Sequence, residues 1–146
     1  MDTLKTVSIL ERILLLREIP IFADLSPEDL KLVAEIAREE WYPQNSEIFH
    51  QGDEGNMMFV IVEGNLQVLR TMDGTEQVLA QRGSGDFLGE MAIIESAPRL
   101  ATLRTQTDVR ILAIDGETFK GILHERPDVS FAVLRSLSRR LREMTE

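Results

Sequence analysis

Apolar residues recur at helical spacing in the first part of the chain. From Leu4 to about Glu18 they stand three or four positions apart, which predicts an amphipathic helix. Pro20 ends the run because proline lacks an amide donor and restricts the residue before it. A second helix is predicted to begin at Ser26-Pro27, a capping hydroxyl followed by proline at the first helical position. Its predicted buried face is Leu30, Val33, Ala34 and Ala37.

Helical spacing returns at the other end of the chain. Asp115 is a plausible cap for a short helix that ends near Arg126-Pro127. The final helix is predicted from an apolar stripe at Val133, Leu137, Leu141 and Met144. Its C-terminal end carries cations, which suit the negative end of a helix dipole: Arg135, Arg139, Arg140 and Arg142.

Between the helices the pattern changes to short apolar runs separated by glycine. The runs cover residues 47–49, 58–62, 66–69, 77–80, 100–103 and 109–114. Asp73-Gly74 and Glu63-Gly64-Asn65 are turn sequences between runs. Short strands at this spacing predict an antiparallel β-sandwich or small barrel.

Composition narrows the classes of function. The chain has 146 residues, the length of one domain, and no cysteine, which excludes disulfides and thiolate chemistry. Its formal net charge of −9 disfavours non-specific nucleic-acid binding. The chain shows no apolar run long enough for a membrane span and no secretion signal at its start, so we expect a cytoplasmic location.

The segment from Gly85 to Thr102 breaks the strand rhythm and carries the candidate chemistry. It predicts one helical turn from about Glu90, preceded by glycine, and a helix N-terminus of this kind favours an anion. Arg99 can fold back over that turn, and its guanidinium matches two phosphate oxygens. Glu90 would repel a bare phosphate but accepts hydrogen bonds from a hydroxyl. Together they predict a nucleoside cyclic 3′,5′-phosphate, in which a free 2′-hydroxyl neighbours a singly charged phosphate.

Residues from about Ser26 to Arg142 resemble the cyclic nucleotide-binding domain family. This is the module of cAMP-dependent kinase regulatory subunits, catabolite activator proteins and cyclic nucleotide-gated channels. The resemblance lies in Gly-Glu-Met-Ala at 89–92, Pro-Arg-Leu-Ala-Thr at 98–102, Gly52-Asp53 and Glu63-Gly64. It implies a mainly β fold with flanking helices: an eight-stranded antiparallel jelly-roll β-barrel with N-terminal helices, a short phosphate-binding-cassette helix and C-terminal helices. The implied divisions are an N-terminal helix at 1–19 and a binding domain at 20–146, with the barrel at about 40–114 and the C-terminal helices at about 116–144.

The resemblance also implies roles for individual residues. Gly89 would let its backbone approach the ribose, Glu90 would accept from the 2′-hydroxyl, and Arg99 would pair with phosphate oxygens. The amides of Ala92 and Leu100 would complete the phosphate-binding site, in a segment that also contains Met91 and Ala101. Leu100 stands where many members have Ala, Ser or Thr, and its lack of a hydroxyl favours cAMP over cGMP. The final helix would supply a lid over the base, from Leu137, Leu141 and Met144, with Arg140 or Thr145 as polar contacts.

Two alternatives stay open for the pocket residues. Glu90 and Arg99 could form a plain surface salt bridge. A cupin-type metalloenzyme has a related barrel, but it needs several histidines, and only His50 and His124 occur here, both explained by structural positions. We therefore expect no metal and no catalysis.

Two functions from different classes are compared. The first is a non-catalytic sensor in which cAMP binding moves the final helix and regulates a fused or partner effector. The second is an interaction or assembly module that has lost useful nucleotide affinity, for which a homodimer through the terminal helices is considered. We expect no nucleic-acid partner, since the residues after the sensor leave no room for a helix-turn-helix, and no insertion into a membrane.

Overall fold

Two helices, eight strands and two further helices make up the described part of the chain. The structure is a computed structural model that describes residues 7–19, 22–89 and 97–145, without the side chains of residues 140, 144 and 145. The elements are α1 (Ile9–Arg17), α2 (Pro27–Ile36), β1 (Arg38–Tyr42), β2 (Glu47–Phe49), β3 (Met57–Glu63), β4 (Leu66–Met72), β5 (Thr75–Arg82), β6 (Phe87–Leu88), β7 (Thr102–Thr105), β8 (Val109–Asp115), α3 (Gly116–Glu125) and α4 (Pro127–Thr145).

The strands form two four-stranded antiparallel sheets, in the orders β1-β8-β3-β6 and β2-β7-β4-β5. Side chains from both sheets share one apolar cluster, which includes Phe59 and Ile111 from the first sheet and Leu66 and Leu103 from the second. The predicted mainly β, eight-stranded jelly-roll with flanking helices is confirmed, as two facing sheets rather than one closed cylinder. The predicted cassette helix, from about Glu90 to Ile94, lies outside the described residues.

The central strands of the first sheet, β3 and β8, are largely buried on both faces, because one face lines the barrel and the other packs against helices. Along β8, Ile111 and Ala113 belong to the barrel cluster, whereas Leu112 and Ile114 belong to a second cluster with the helices. This alternation follows from the two-residue period of a strand. The second cluster holds residues of α1, α2, α3 and α4, so all four helices share a core with the sheet.

The helix boundaries follow side-chain caps. Ser26 caps α2 by accepting from the Asp29 amide, with Pro27 at the first position, as predicted. Asp115 caps α3 by accepting from the Thr118 amide, also as predicted. The predicted start of α1 at Leu4 is wrong: Val7 and Ser8 are not helical, and Ser8 forms a capping box with Glu11, so the helix begins at Ile9.

Three strand predictions need correction. The strands β1 and β6 are absent from the predicted runs, because β1 reads Arg-Glu-Glu-Trp-Tyr and β6 has only two residues. The run predicted at 100–103 begins at Thr102, since Leu100 and Ala101 form a bend that follows Arg99. The remaining five runs lie inside β2, β3, β4, β5 and β8.

The C-terminal helices contact the N-terminal helical segment through rings and charges. Phe22 meets Phe119 edge-to-face at 6.1 Å. Arg126, at the end of α3, pairs with the buried Asp29 of α2 at 2.8 Å. Arg135 of α4 pairs with Asp24, in the connection between α1 and α2. These contacts fix where α4 begins relative to the sheet.

The predicted apolar stripe of α4 is only partly buried. Val133 is 4% exposed and Leu137 packs against the helical core. Leu141 is 63% exposed, so it lies outside that core, and the side chain of Met144 is outside the description. Among the described residues, no helix is both long and apolar enough to cross a bilayer.

Candidate functional site

Arg99 is clamped by its backbone to the loop between β2 and β3. The Arg99 amide donates to the Asp53 carbonyl at 2.8 Å, and the Gly52 amide donates to the Arg99 carbonyl at 2.8 Å. A single β-bridge between Glu54 and Pro98 extends this pairing by one residue. The loop therefore sets where the Arg99 side chain leaves the backbone.

The same loop is anchored to β7 and β4, the next two strands of the second sheet. The Gln51 amide donates to Thr102 Oγ1 at 3.0 Å, and the Gln51 side chain exchanges hydrogen bonds with the backbone of Thr71. Within the loop, Asp53 accepts from the His50 amide at 3.0 Å. A loop with this many fixed contacts can hold a charged side chain in place.

A row of charged side chains leads from β5 to this loop. Arg104 forms hydrogen bonds with both Glu76 and Glu47. The hydrogen bonds that Arg104 donates to Glu76 hold the pKa of Glu76 below its ordinary value. Glu47 also contacts His50 Nε2 at 2.7 Å, and His50 Nδ1 lies 3.4 Å from Asp53. His50 is thus an exposed residue satisfied by two carboxylates, which agrees with the structural role expected for it.

The guanidinium of Arg99 is buried in a cradle of backbone carbonyls. Arg99 is 6% exposed, and its Nη2 donates to the Met57 carbonyl at 2.7 Å. Its Nη1 makes a longer, weaker contact with the Gly89 carbonyl at 3.5 Å. A solvent-exposed salt bridge of Arg99 is therefore contradicted, because the side chain is not at the surface.

Two aromatic rings lie next to the same guanidinium. Arg99 Cζ lies 4.3 Å from the centroid of the Phe49 ring and 5.6 Å from that of Phe59. The two rings are stacked, with centroids 5.8 Å apart and an interplanar angle of 24°. The negative face of an aromatic ring attracts a cation, so the rings hold the guanidinium without using a negative charge.

Two glycines make room for Arg99. A Cβ added at Gly55 would lie 2.4 Å from Arg99 Nε and 2.6 Å from Cζ. A Cβ added at Gly89 would lie 2.6 Å from Arg99 Nη1 and 2.8 Å from the Met57 carbonyl oxygen, and Gly89 also has a φ of +93°. Both positions thus require glycine for the approach to the arginine; an approach of Gly89 to a ribose stays a prediction.

The structure brings some of the predicted site residues together and leaves others outside its description. Gly89 and Arg99 are in contact, Ala101 is half-buried, and Leu100 is 62% exposed. Glu90, Met91 and Ala92 lie outside the described residues, as do the side chains of Arg140, Met144 and Thr145. The predicted roles of Glu90 and of the lid therefore stay predictions.

Four residues at the site were not predicted from the sequence: Phe49, Gly55, Met57 and Phe59. Met57 contributes only its carbonyl, which has no sequence signal. Gly55 lies outside the left-handed region that favours glycine, so its requirement comes from space alone. Its position three residues after Gly52, in a loop that precedes a strand, was the one available signal.

The groups around Arg99 suit an organic anion. The described residues contain no group of three or more histidine, aspartate and glutamate side chains placed to hold a metal ion. A buried arginine held by carbonyls and rings instead offers a fixed positive charge with planar N–H donors, which suits a phosphate or carboxylate.

Comparison with known proteins identifies the family. A family model described as "Cyclic nucleotide-binding domain" matches residues 39–126. The chain is 33% identical over 125 residues to the cyclic AMP receptor protein of Thermus thermophilus, covering 85% of this chain and 58% of that protein. It is 33% identical over 88 residues to a cAMP-dependent protein kinase regulatory subunit of Mycosarcoma maydis, covering 60% of this chain and 17% of that subunit.

A solved structure agrees with these sequence relatives. The N-terminal domain of a transcriptional regulator from Streptomyces coelicolor superposes with a TM-score of 0.79 at 34% identity, covering 90% of this chain and 92% of that domain. The chain spans less than two thirds of the length of the curated relatives named above. The family model covers the β-sandwich that holds the buried arginine and the two glycines that make room for it. The chain therefore belongs to the cyclic nucleotide-binding domain family.

Proposed function

We propose that this chain is a non-catalytic sensor of cAMP whose ligand occupancy moves α4 and thereby regulates a fused or partner effector. The observation that carries the proposal is the buried Arg99, which contacts the Met57 carbonyl and the Phe49 ring and fits in the space that Gly55 leaves open. A cyclic phosphate carries one negative charge and two exocyclic oxygens, which match a fixed guanidinium. Two relatives are named as a cAMP receptor and a cAMP-dependent kinase subunit, which supports this ligand.

The residues expected to bind the nucleotide are those that the sequence predicted. Arg99 would pair with the phosphate oxygens beside Gly89. Glu90 would accept from the ribose hydroxyl, and Met91, Ala92, Leu100 and Ala101 would line the same segment. Leu100 has no hydroxyl to offer to a guanine, which favours cAMP over cGMP. Arg140 and Met144 on α4 would contact the base once the helix closes.

Calorimetry with cAMP and cGMP tests this proposal. Truncating a buried partner of a charged ligand costs about 2–5 kcal/mol, so Arg99→Ala should lose roughly 30- to several-thousand-fold in cAMP affinity. Arg70→Ala is the matched control, because it removes the same charge from an exposed position on β4. Equal affinities of wild type and Arg99→Ala would reject Arg99 as the phosphate ligand.

A second candidate is an interaction or assembly module that has lost useful nucleotide affinity. Exposed apolar side chains on α1 and α4 favour it, among them Leu10 at 66%, Phe131 at 60% and Leu134 at 62% exposure. A thermal-shift experiment separates the two, since a ligand at 100 times its Kd adds about 2.7 kcal/mol of stability. The absence of any shift at millimolar cAMP or cGMP would favour this candidate, and a concentration-dependent dimer in sedimentation would support assembly through the terminal helices.

A further inference from the structure

The ring of Phe49 lies against the guanidinium that the proposed function assigns to the phosphate. Phe49 is the last residue of β2, where the pairing with β7 shifts register between Glu47 and Phe49. Its ring centroid lies 4.3 Å from Arg99 Cζ, closer than that of Phe59 at 5.6 Å. Phe59 is 6% exposed in the barrel core, and its ring stacks with that of Phe49 with centroids 5.8 Å apart.

The ring and the carbonyls hold different parts of the arginine. The Met57 and Gly89 carbonyls accept from the Nη atoms at the edge of the guanidinium. The Phe49 ring contacts the guanidinium through its π-electrons, with Arg99 Cζ 4.3 Å from the ring centroid. Phosphate oxygens are bound by the N–H groups of a guanidinium, and the ring restrains the cation without bringing a negatively charged oxygen that would compete with the ligand.

We propose that Phe49 is a positioning residue of the anion site, whose ring fixes the Arg99 guanidinium in the orientation that binds the nucleotide phosphate. The inference rests on the proposed function and adds a residue to it. Two properties of Phe49 could matter for this role, and substitutions distinguish between them. One is apolar volume, which leucine also provides, and the other is the ring face, which tyrosine and tryptophan keep.

The experiment compares Phe49→Leu with Phe49→Tyr by calorimetry with cAMP and by thermal unfolding without ligand. A cation–π contact in a desolvated site corresponds to about a 5- to 30-fold change in affinity, which Phe49→Leu should lose. Phe49→Tyr should bind within about twofold of wild type. Equal binding by Phe49→Leu and wild type overturns the proposal. So does a Phe49→Tyr variant as weak as Phe49→Leu, since the ring would then not matter.

A double-mutant cycle tests whether Phe49 acts through Arg99. In the Arg99→Ala background, Phe49→Leu should change cAMP affinity by less than about twofold, because the cation that the ring holds is gone. A loss as large as in the wild-type background means that Phe49 acts by another route, and overturns the proposal.

An NMR measurement without ligand separates this inference from the proposed function. The Arg99 Nε–Hε resonance should move in Phe49→Leu, where the ring current is lost, and stay near its wild-type position in Phe49→Tyr. An unchanged resonance in Phe49→Leu overturns the positioning contact whether or not cAMP binds. Failure of wild type to bind cAMP or cGMP, with the resonance moved as expected, rejects the proposed function and the ligand role but retains the contact between ring and arginine.

Discussion

Gly55 leaves the space that the Arg99 side chain occupies. Gly55 faces the Arg99 guanidinium so closely that a methyl group would lie 2.4 Å from Nε. Its φ lies outside the left-handed region, so an alanine there causes no backbone strain. The atoms that must move belong to the flexible end of Arg99. The substitution should therefore displace the guanidinium rather than strain the backbone.

We therefore predict that Gly55→Ala weakens cAMP binding more than it destabilises the fold. Displacement of the guanidinium from Met57 should reduce affinity at least about tenfold, as expected for a disturbed charge-assisted pair. Gly74→Ala is the matched control, because Gly74 has a φ of +77° and open space around it. It should lose about 1 kcal/mol of unfolding free energy through strain and keep its affinity. Calorimetry and urea unfolding of both variants give the answer; the same pattern in both would contradict the steric role of Gly55.

At the level of single residues, the sequence indicated Arg99 as a site residue but did not indicate the residues that surround it. Arg99 could be identified because a cation stands at a set distance after a glycine and an acid, and this spacing is visible in the chain. Phe49 and Met57 could not, since their contacts with Arg99 arise only when β2 and β3 meet the loop that follows residue 96. Such contacts depend on tertiary register, which no local pattern records.

At the scale of elements, caps and turns were predicted well and charged strands poorly. Ser26 and Asp115 mark helix starts because their side chains satisfy amides that the helix leaves unpaired. The strand β1 has no alternating apolar pattern that would predict a strand. Its charged residues are tolerated because they find partners in the fold: Glu39 contacts the buried Arg110 at 3.6 Å and accepts from the Val7 amide at 2.8 Å. Within the same strand, burial, together with the hydrogen bond that the Tyr42 hydroxyl donates to Glu40, raises the pKa of Tyr42 to about 12.

The cap of α3 gives a pH-dependent prediction. Hydrogen bonds from Thr118 hold the pKa of Asp115 below its ordinary value of 3.8. A carboxyl group with a lowered folded-state pKa stabilises the fold above its unfolded pKa, and that contribution is lost as pH falls through the folded value. Asp115→Ala should therefore cost about 1 kcal/mol of unfolding free energy at neutral pH. The difference from wild type should shrink below about pH 4.

Ser26→Ala provides the comparison for Asp115→Ala. The Ser26 hydroxyl caps α2 in the same way but does not titrate in this range, so its loss should cost a similar amount at every pH. Urea unfolding from neutral pH to about pH 3 measures both variants. A cost of Asp115→Ala that stays constant down to the lowest pH would show that the charge of Asp115 does not contribute to the cap.

At the scale of the whole molecule, the sheet and the helices share one core. Val60 of β3 and Leu112 of β8 pack in the same cluster as Leu16 of α1, Phe119 of α3 and Val133 of α4. The other side of β3 carries Phe59, which lies beside Arg99. A single layer of strands therefore separates the arginine from the helical core. The order of helices and strands was predictable from the chain, but this shared packing was not, because it joins residues more than a hundred positions apart.

The ion pair between Asp24 and Arg135 provides a test of coupling between the ligand and α4. It joins the α1–α2 connection to α4, and the two side chains are 40% and 41% exposed. A ligand shifts a conformational equilibrium only by its different affinity for the two states. If cAMP binding moves α4 away from this contact, then Asp24→Asn removes a bond that the nucleotide-bound state would not make, and binding no longer has to break it. An exposed pair contributes about 0–1 kcal/mol, so cAMP affinity should rise by up to about fivefold.

Glu40→Gln, which breaks the Arg38–Glu40 pair inside β1, should leave affinity unchanged. Calorimetry decides between the two outcomes, and an affinity of Asp24→Asn at or below that of wild type means that α4 keeps its contact with the N-terminal helices when the nucleotide binds.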